Sequence, residues 1–394
     1  MDMPGLYEDW TGNVVKDATM RSLDPEAVRA ARAIFSTTFS DRRAECSEGD
    51  DETFLTRTGV LKRGHVTVSA MILLGKVSEC RFPKDVRIRW RLYDTDGRLE
   101  DSRVFNEPMV LAISHAASTV RNMSVKISGA NPRYVSAYRI KTLEEALINA
   151  VAHQDYSVGG YIDLVEKDRE SVTIINKGGF PDGLPERFAT NPPSAVKRRN
   201  PFLCKAISGL GMAPMNATGI RGMYLSQAYR HYPMPRFELT DDTFSVTFPG
   251  IRSGPLVRIM DSRDDLDIDS IVELDRVSRG MYVPESRMTV LERRGLIDNT
   301  DDVPCLVCNS ESSHIRLFKG SDSDAVLDFI RENGSVKRAD VAAILSARVT
   351  KDMTPEQLSV KATNLLQNMR KDGLIRKADG STRSASYVLD EGSS

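Results

Sequence analysis

Hydrophobic and polar positions along the chain alternate with two different periods, and these periods predict both helices and strands. Apolar residues recur at helical spacing over 107–126 and 141–153. They alternate with polar residues at 87–93 and in two runs around a polar turn at 161–176, which predicts a strand and a hairpin. A second hairpin is predicted at 237–250, and the mixture indicates an α+β sandwich with this hairpin as its last element.

The residues before this sandwich divide into a polar stretch and a region of short elements. Residues 1–21 are polar without a clear period and predict a linker. A helix follows, with Asp24 as its N-cap and Pro25 at its first position. Residues 22–130 are expected to form a helical and strand region that packs on the sandwich, which occupies 131–250.

The last part of the chain contains two segments that follow one pattern. Residues 269–298 and 324–376 each combine an apolar helix, a polar break, a second helix and a Gly-Leu-Ile sequence. The glycines of these sequences, Gly295 and Gly373, lie 78 residues apart. Two unrelated helical segments can share a tripeptide by chance, so the repeat is a hypothesis. It predicts two further domains, at 251–318 and 319–394.

Composition narrows the class of protein. The 394 residues are 40% hydrophobic and 28% charged, which is typical of soluble proteins. Fifty-four Lys and Arg against 55 Asp and Glu give a net charge of −1, so any contact with nucleic acid must come from a local patch. No apolar run approaches the ~20 residues of a membrane span, and the N-terminus lacks the pattern of a signal peptide. Five scattered cysteines favour a reducing compartment, so a cytoplasmic protein without membrane contact is expected.

The predicted helix at 141–153 has an apolar face and an opposite polar face that carries Glu145, Asn149 and His153. A carboxylate one turn from an amide suits a Mg²⁺–nucleotide site, because the Glu orients a water and the amide oxygen helps to hold the hard cation. The alternative is an ordinary solvated helix face, which the spacing alone does not exclude.

This polar face belongs to the first of five sequence segments that together form a wider pattern. The segments are LEEALINAVAHQDYS, IINKGGFPDGLPE, RRNPFL, NATGIRGM and FELTDDTFSVTFPG. Glycines in two of them allow a backbone to approach a ligand closely. In order and spacing the segments resemble a bacterial family of ATP-binding proteins or transcriptional regulators, named for a RecG-like C-terminal region. That family is related to the ATPases of histidine kinases, gyrase and mismatch repair (GHKL). The resemblance runs from about Asp24 to Pro249 and implies a divergent GHKL-type, ATPase-like α/β sandwich.

The resemblance assigns roles to single residues. Glu145 and Asn149 match the box that supplies the catalytic base and the magnesium ligand, and Asn176 stands where the adenine-binding Asp-x-Gly-x-Gly motif begins. Thr218 and Gly219 stand at a second glycine box, whose backbone amides would meet phosphate. The implied nucleotide-binding residues are Asn149, His153, Asn176, Gly178, Gly179, Arg199, Thr218 and Gly219. ATP or ADP with Mg²⁺ would be the cofactors.

Several positions depart from the family pattern. Asn176 replaces the adenine-binding aspartate, so it can accept a hydrogen bond but carries no charge. Phe180 stands at the second glycine of that box, and Ala217 replaces a glycine of the other. A fold tolerates the loss of these glycines better than a phosphate-binding loop does, so the changes argue against ATP hydrolysis more than against the fold. The sequence contains no Gly-x₄-Gly-Lys-Ser/Thr loop, and helicase activity is therefore rejected.

Relatives in this family usually carry an N-terminal, nucleic-acid-associated domain of the Schlafen type. This chain begins in what resembles the linker after that domain. Either the sequence is a fragment, which we favour, or this member has lost the domain.

The C-terminal segment 324–390 resembles a winged helix-turn-helix. Between Pro355 and Tyr387, six cations and three carboxylates give a net charge of +3. A recognition helix enters the major groove of DNA while cations of the wing touch phosphate. The expected DNA-binding residues are Lys361, Asn364, Arg370, Lys371, Arg376, Lys377 and Arg383. Alternatively, winged helices serve as interaction or dimerisation modules, and a homodimer is expected.

Cys305 and Cys308, with His314 nearby, form half of a zinc-binding pattern. No second cysteine pair follows in the sequence, and the segment fits a strand. Structural cysteines are therefore favoured, and no zinc is expected.

Together these observations predict a cytoplasmic, DNA-binding transcriptional regulator. In it, a divergent ATPase-like sandwich senses nucleotide and two winged helix-turn-helix domains follow. Two alternatives stay open. One is a Mg²⁺-dependent ATP hydrolase in which Glu145 activates water, and the other is a non-catalytic scaffold that dimerises and binds neither ATP nor DNA.

Overall fold

The chain divides into two units, Met1–Val272 (unit 1) and Glu273–Ser394 (unit 2). The computed structural model describes residues 9–42, 44, 49–78, 86–127, 133–180, 185–190, 197–213, 219–298, 304–307, 322–323, 326–327, 330, 335–346, 355–378 and 385–390. The architecture is α+β with a mixed sheet, as predicted. Within these ranges, no helix is both long enough and apolar enough to cross a membrane.

The first described residues pack against the rest of unit 1, in contrast to the predicted linker over 1–21. Two short 3-10 helices span Trp10–Gly12 and Met20–Ser22. The Trp10 ring meets the Tyr156 ring edge-on, with 5.9 Å between centroids. The Asp9 carboxylate accepts a hydrogen bond from the Phe202 amide at 2.6 Å. Such polar tertiary contacts leave no hydrophobic period in the sequence.

In the part of this region that the structure describes, three α-helices follow: α1 Pro25–Thr38, α2 Asp51–Arg57 and α3 Val68–Leu74. As predicted, Asp24 caps α1, because its side chain accepts hydrogen bonds from the amides of Glu26 and Ala27. Every residue of α3 is buried, in keeping with its apolar sequence. These helices contribute to the same hydrophobic core as the central sheet.

Unit 1 has eight strands among its described residues: β1 Ile88–Tyr93, β2 Leu99–Phe105, β3 Ser124–Ile127, β4 Arg133–Ser136, β5 Ile162–Lys167, β6 Ser171–Lys177, β7 Arg236–Leu239 and β8 Thr243–Pro249. Six of them form one sheet in the order β2-β1-β5-β6-β8-β7. Strands β1 and β5 run parallel, and the other neighbours run antiparallel. The predicted hairpins correspond to β5–β6 and β7–β8. Because β1 pairs with β5, the predicted regions 22–130 and 131–250 share one sheet.

The helix predicted over 107–126 is shorter than expected. Helix α4 spans Met109–Thr119, and the chain then turns into β3, which pairs with β4. The side-chain amide of Asn122 explains the early end. Its nitrogen donates to the Tyr138 carbonyl at 2.6 Å, and its oxygen accepts from the Tyr138 amide at 2.9 Å. This side chain therefore replaces a strand partner and holds the segment extended.

The further α-helices among the described residues of unit 1 are α5 Ile140–His153, α6 Arg187–Thr190, α7 Pro201–Gly209, α8 Gly219–Tyr229 and α9 Pro255–Ser262. Helix α5 corresponds to the predicted helix at 141–153. Its apolar face is buried as predicted, through Leu143, Ala146, Leu147, Ala150 and Val151. Because this face joins the core of the sheet, the polar face of α5 points away from the sheet.

Unit 2 contains short strands and helices around a small core. The elements, beginning with the helix that spans the boundary, are α10 Ile268–Ser278, α11 Glu285–Arg293, β9 Ile297–Asp298, β10 Cys305–Leu306, β11 Val336–Lys337, α12 Arg338–Ser346, α13 Pro355–Lys371, β12 Ile375–Lys377 and β13 Ser386–Leu389. Strands β9 and β10 pair, and β11, β13 and β12 form a three-stranded sheet in that order. A hydrophobic cluster from Val326 to Ile375 joins α12, α13 and the sheet.

The two glycines of the sequence repeat end their helices in the same way. Gly295 and Gly373 both have positive φ, at 65° and 70°. In each case the following leucine amide donates to the carbonyl five residues earlier, that of Leu291 or Met369. A residue without a Cβ suits this left-handed cap, so the glycines of the two segments have one structural role.

Candidate functional site

The polar face of α5 lies against helix α8, which runs antiparallel to it. A Cβ added to Gly219 would stand 3.1 Å from Asn149 Nδ2, and one added to Gly222 would stand 3.6 Å from Glu145 Oε2. One turn after Gly222 in α8, the Ser226 hydroxyl accepts a hydrogen bond from the Thr142 hydroxyl of α5 at 2.8 Å. The alternative of a freely solvated helix face is therefore incorrect for this chain.

Small residues in α8 make this close approach possible. Gly219, Gly222 and Ser226 are spaced at i, i+3 and i+7, so they share one face of the helix. A side chain at Gly219 would crowd the Asn149 amide, whereas a Cβ at Gly222 would make an ordinary contact with the Glu145 carboxylate. The family resemblance points to Gly219, whereas Gly222 and Ser226 were not among the predicted site residues.

Glu145 is half-buried between the two helices. Burial raises the pKa of its carboxyl group, and the nearby charges of Lys141 and Arg139 oppose this effect. A carboxyl group with a raised pKa holds its proton more readily than an exposed one. The environment of Glu145 therefore favours proton exchange nearer to neutral pH than in an exposed glutamate.

Two amide side chains hold the C-terminal end of α5, and one of them, that of Gln154, links it to residues 176–180 (the glycine segment). Gln154 Oε1 accepts a hydrogen bond from the Lys177 amide at 2.8 Å. The buried Asn200 donates from Nδ2 to the carbonyls of Ala152 and Gln154, at 3.0 and 2.9 Å. The Asn200 contacts satisfy carbonyls at the end of α5 that have no partner within the helix. Sequence reasoning gave neither residue a role, because a helix-capping amide has no periodic signature.

Arg199 covers the glycine segment and pairs with Asp155. Its guanidinium carbon lies 2.9 Å from the place where a Cβ on Gly178 would stand, and Gly178 has φ of 97°. Its Nη1 donates to Asp155 Oδ2 at 2.8 Å. Burial opposes ionisation of Asp155, but hydrogen bonds from Ser157 and the charge of Arg199 lower its pKa on balance. Arg199, predicted to meet phosphate, thus has a carboxylate partner within the chain.

The other predicted residues of this segment line the end of β6. Asn176 is buried on the sheet, where its Nδ2 donates to the Lys177 carbonyl at 3.0 Å. A Cβ on Gly179 would stand 3.2 Å from the Thr240 carbonyl oxygen, so a side chain would be tightly packed there. His153 is half-buried at the last position of α5, and Thr218 lies outside the described residues.

An aromatic cluster occupies the position where the family pattern has its second glycine. The Phe180 ring stacks on Phe244 and meets Phe188 edge-on, with 5.4 Å between centroids in both pairs. Phe237 and Tyr224 extend the cluster. The side chain at position 180 therefore contributes to apolar packing, which a glycine could not do.

The structure thus places the predicted residues in two groups. Glu145, Asn149 and Gly219 meet between α5 and α8, whereas Gly178 and Arg199 meet beside Asp155. The end of α5, through Gln154 and Asp155, connects the two groups. The described residues contain no group of three or more His, Cys, Asp or Glu side chains arranged to hold a metal ion.

In unit 2, most of the predicted DNA-binding residues are exposed. Lys361 pairs with Asp322 at 2.9 Å, so its charge is partly compensated. The exposed residues are Asn364, Arg370, Lys371, Arg376 and Lys377. Arg383, Cys308 and His314 lie outside the described residues, and Cys305 is half-buried.

Comparisons with known proteins match two parts of unit 1. A family described as "Putative ATP-dependent DNA helicase recG C-terminal" matches residues 165–248, and a domain of unknown function, DUF8451, matches residues 6–83. The first match contains the glycine segments and α8 but not Glu145 or Asn149. It supports an ATPase-like domain in this part of the chain.

Among solved structures, the chain is similar to the DIP2311 protein from Corynebacterium diphtheriae, a structural genomics target. The identity is 18%, the TM-score is 0.54, and the similarity covers 97% of this chain and 70% of that one. This likeness concerns the fold alone. No curated protein sequence matches the chain significantly.

Proposed function

We propose that the region of unit 1 from α5 to β8 is a divergent GHKL-type nucleotide-binding domain. The main support for this proposal is the contact between Asn149 and Gly219. It places a side chain that can coordinate Mg²⁺ beside the first residue of α8. The first amides of a helix lack partners within it and attract phosphate. Bound Mg²⁺ would neutralise phosphate charge, and Asn149 would supply an oxygen ligand to it.

The domain senses nucleotide rather than turning it over rapidly. Glu145, the candidate base, is half-buried against Gly222, which limits the room for an attacking water. Phe180 packs among aromatic rings where the family pattern has a glycine amide. Both features favour binding over the hydrolase alternative.

A titration of labelled ATP with and without Mg²⁺ tests this proposal, together with phosphate release by the same protein. Saturable, Mg²⁺-dependent binding with slow release is expected. If release is fast and Glu145→Gln abolishes it while binding persists, the hydrolase alternative is correct, because the amide keeps the shape of Glu145 but cannot take a proton.

A second candidate function, duplex DNA binding by unit 2, is favoured by its exposed cations. We propose that α12, α13 and the sheet β11-β13-β12 form a winged helix-turn-helix, with α13 as the recognition helix. Arg370 and Lys371 end α13, and Arg376 and Lys377 lie on β12, so all four stand at neighbouring, exposed positions. A homodimer would place two such helices on a two-fold symmetric operator.

We propose that the full chain is a transcriptional regulator whose affinity for DNA changes when nucleotide binds. Electrophoretic mobility shifts of the full chain on genomic fragments, with and without ATP, test this. A shift that nucleotide changes supports the regulator. Absence of any shift at low salt favours the scaffold alternative, and light scattering then measures the dimer directly.

A further inference from the structure

The exposed side of α13 carries one apolar residue and two amides, with a cation at their end. Val360, Asn364, Gln367 and Lys371 recur at i, i+4, i+7 and i+11, which places them within about 60° of one another around the helix axis. All four are exposed, and Val360 is 60% exposed. The opposite side of α13 packs into the core of unit 2. We call these four residues the α13 stripe.

The α13 stripe differs from an ordinary solvated helix face, which usually carries charges of both signs. Lys361 is the only charged residue among positions 357–369, although 28% of the whole chain is charged. Valine is a weaker helix former than the charged residues that are common at exposed positions, so Val360 adds little to the stability of the helix. Helix stability therefore does not explain why these residues occupy the exposed side of α13.

The corresponding helix of the first repeated segment, α11, has a different surface. Both helices end at the same kind of glycine cap, at Gly295 and Gly373. Helix α11, however, exposes the carboxylates of Glu285 and Glu292, which would repel the phosphates of DNA. Of the two helices, α13 is therefore the one whose exposed side suits a polyanion.

The side chains of the α13 stripe match the groups that A·T base pairs present in the major groove. An amide offers one donor and one acceptor on neighbouring atoms, and adenine presents the complementary acceptor and donor at N7 and N6. Guanine presents two acceptors instead, which arginine or lysine matches better. The branched, apolar side chain of Val360 suits the C5-methyl group of thymine. Neither Asn364 nor Gln367 forms a side-chain hydrogen bond with another described residue, so both amides are available.

We propose that α13 reads A·T base pairs in the major groove, with Asn364 and Gln367 bound to adenines and Val360 against a thymine methyl group. This inference rests on the proposed binding of duplex DNA by unit 2 and adds the class of sequence that is bound. From Val360 to Lys371 the helix rises about 16 Å, which is comparable with the length of about five base pairs. Lys371, at the end of the stripe, supplies a cation for a phosphate.

Fluorescence anisotropy of the full chain with two labelled duplexes tests this inference, one of alternating A·T pairs and one of alternating inosine·cytosine pairs. An inosine·cytosine pair has the minor groove of A·T but the major-groove hydrogen-bonding groups of G·C, so the comparison isolates readout of the major groove. The wild type should bind the A·T duplex at least about tenfold more tightly. Asn364→Ala and Gln367→Ala should each lower this ratio. Asn13→Ala removes an exposed amide from unit 1 and should leave the ratio unchanged.

Replacing thymine with uracil in the A·T duplex tests the role of Val360. Uracil lacks the C5-methyl group, so the wild type should bind the uracil duplex about threefold more weakly. Val360→Ala should bind the thymine and uracil duplexes equally. Val14→Ala is the matched control, because it shortens another exposed valine, in unit 1, and should keep the difference between the two duplexes.

The outcomes separate this inference from the proposed function. Equal affinities of the wild type for the A·T and inosine·cytosine duplexes overturn the inference but leave duplex binding by unit 2 intact. A wild type that binds neither duplex at low salt overturns both. If Gln367→Ala and Val360→Ala leave the DNA affinities unchanged but convert a dimer into a monomer in light scattering, the stripe is a subunit contact and the inference is wrong.

Discussion

Asn149 Nδ2 lies 3.1 Å from the position that a Cβ would take on Gly219, so the polar face of α5 and the start of α8 are fitted to each other. Three residues along α8, the corresponding distance from Gly222 to Glu145 Oε2 is 3.6 Å, an ordinary contact. The two glycines therefore have different tolerances, although both lie in one helix and face the same partner.

Substitution of these glycines should show that a side chain is tolerated at position 222 but not at position 219. Gly219→Val forces Asn149 aside and should lower the free energy of unfolding by about 1–3 kcal/mol. Gly222→Ala fits the available space and should raise it by up to about 1 kcal/mol, because alanine is the better helix former. Urea unfolding of both variants measures the difference. Equal effects of the two changes would show that α8 does not pack on α5 as described.

Much of the fold was predictable because it rests on local periods. The hairpins, α5 with its buried face, and the Asp24 cap follow from alternation, helical spacing and capping chemistry. The end of α4 could not be predicted in this way, because it depends on hydrogen bonds between the Asn122 side chain and the backbone of Tyr138, which is distant in sequence. Residues 9–21 also carry no period, since their contacts with the core are single polar groups and one aromatic ring.

The candidate site was predictable in residue type but not in arrangement. Glu145 and Asn149 were found from spacing and resemblance. Two other features depend on how α8 and α7 pack on α5. One is the position of Gly222 and Ser226 opposite the polar face of α5, and the other is the ion pair between Asp155 and Arg199. Such tertiary contacts produce no local pattern from which a single sequence would predict them.

The buried thiol of Cys204 predicts a pH dependence of stability. Burial raises the pKa of this group from 9.0 to about 11. Below pH 9 the thiol is neutral in both states, and its contribution to stability is fully present. As the pH rises toward 11, only the unfolded state loses its proton, so stability falls by about 1.4 kcal/mol per pH unit.

Urea unfolding in reductant at pH 8 and pH 10.5 measures this effect. The fall between the two values should be smaller in Cys204→Ala than in the wild type by roughly 2 kcal/mol. Cys305→Ala, which removes a half-buried thiol, is the control. If Cys204→Ala and the wild type lose the same stability, the thiol is not the titrating group.

The proposed duplex contact of unit 2 predicts a specific salt dependence. Arg376 and Lys377 are exposed on β12, and replacing both with Ala should weaken binding to all duplex sequences about equally. The slope of log affinity against log salt should fall by about 1.8, from roughly 0.9 for each lost phosphate contact. Asn364→Ala should alter sequence preference instead. Unchanged slopes in the double variant would remove β12 from the interface.

If nucleotide binds where Asn149 meets the start of α8, loss of the Asn149 side chain should weaken that binding. Calorimetric titration of ATP and Mg²⁺ into the wild type, Asn149→Ala and the exposed control Asn364→Ala measures the effect. We expect binding by the wild type and the control, and an affinity at least about tenfold lower in Asn149→Ala, since a magnesium ligand is lost. An Asn149→Ala protein that binds ATP and Mg²⁺ as tightly as the wild type, or a wild type that binds none, would contradict the account.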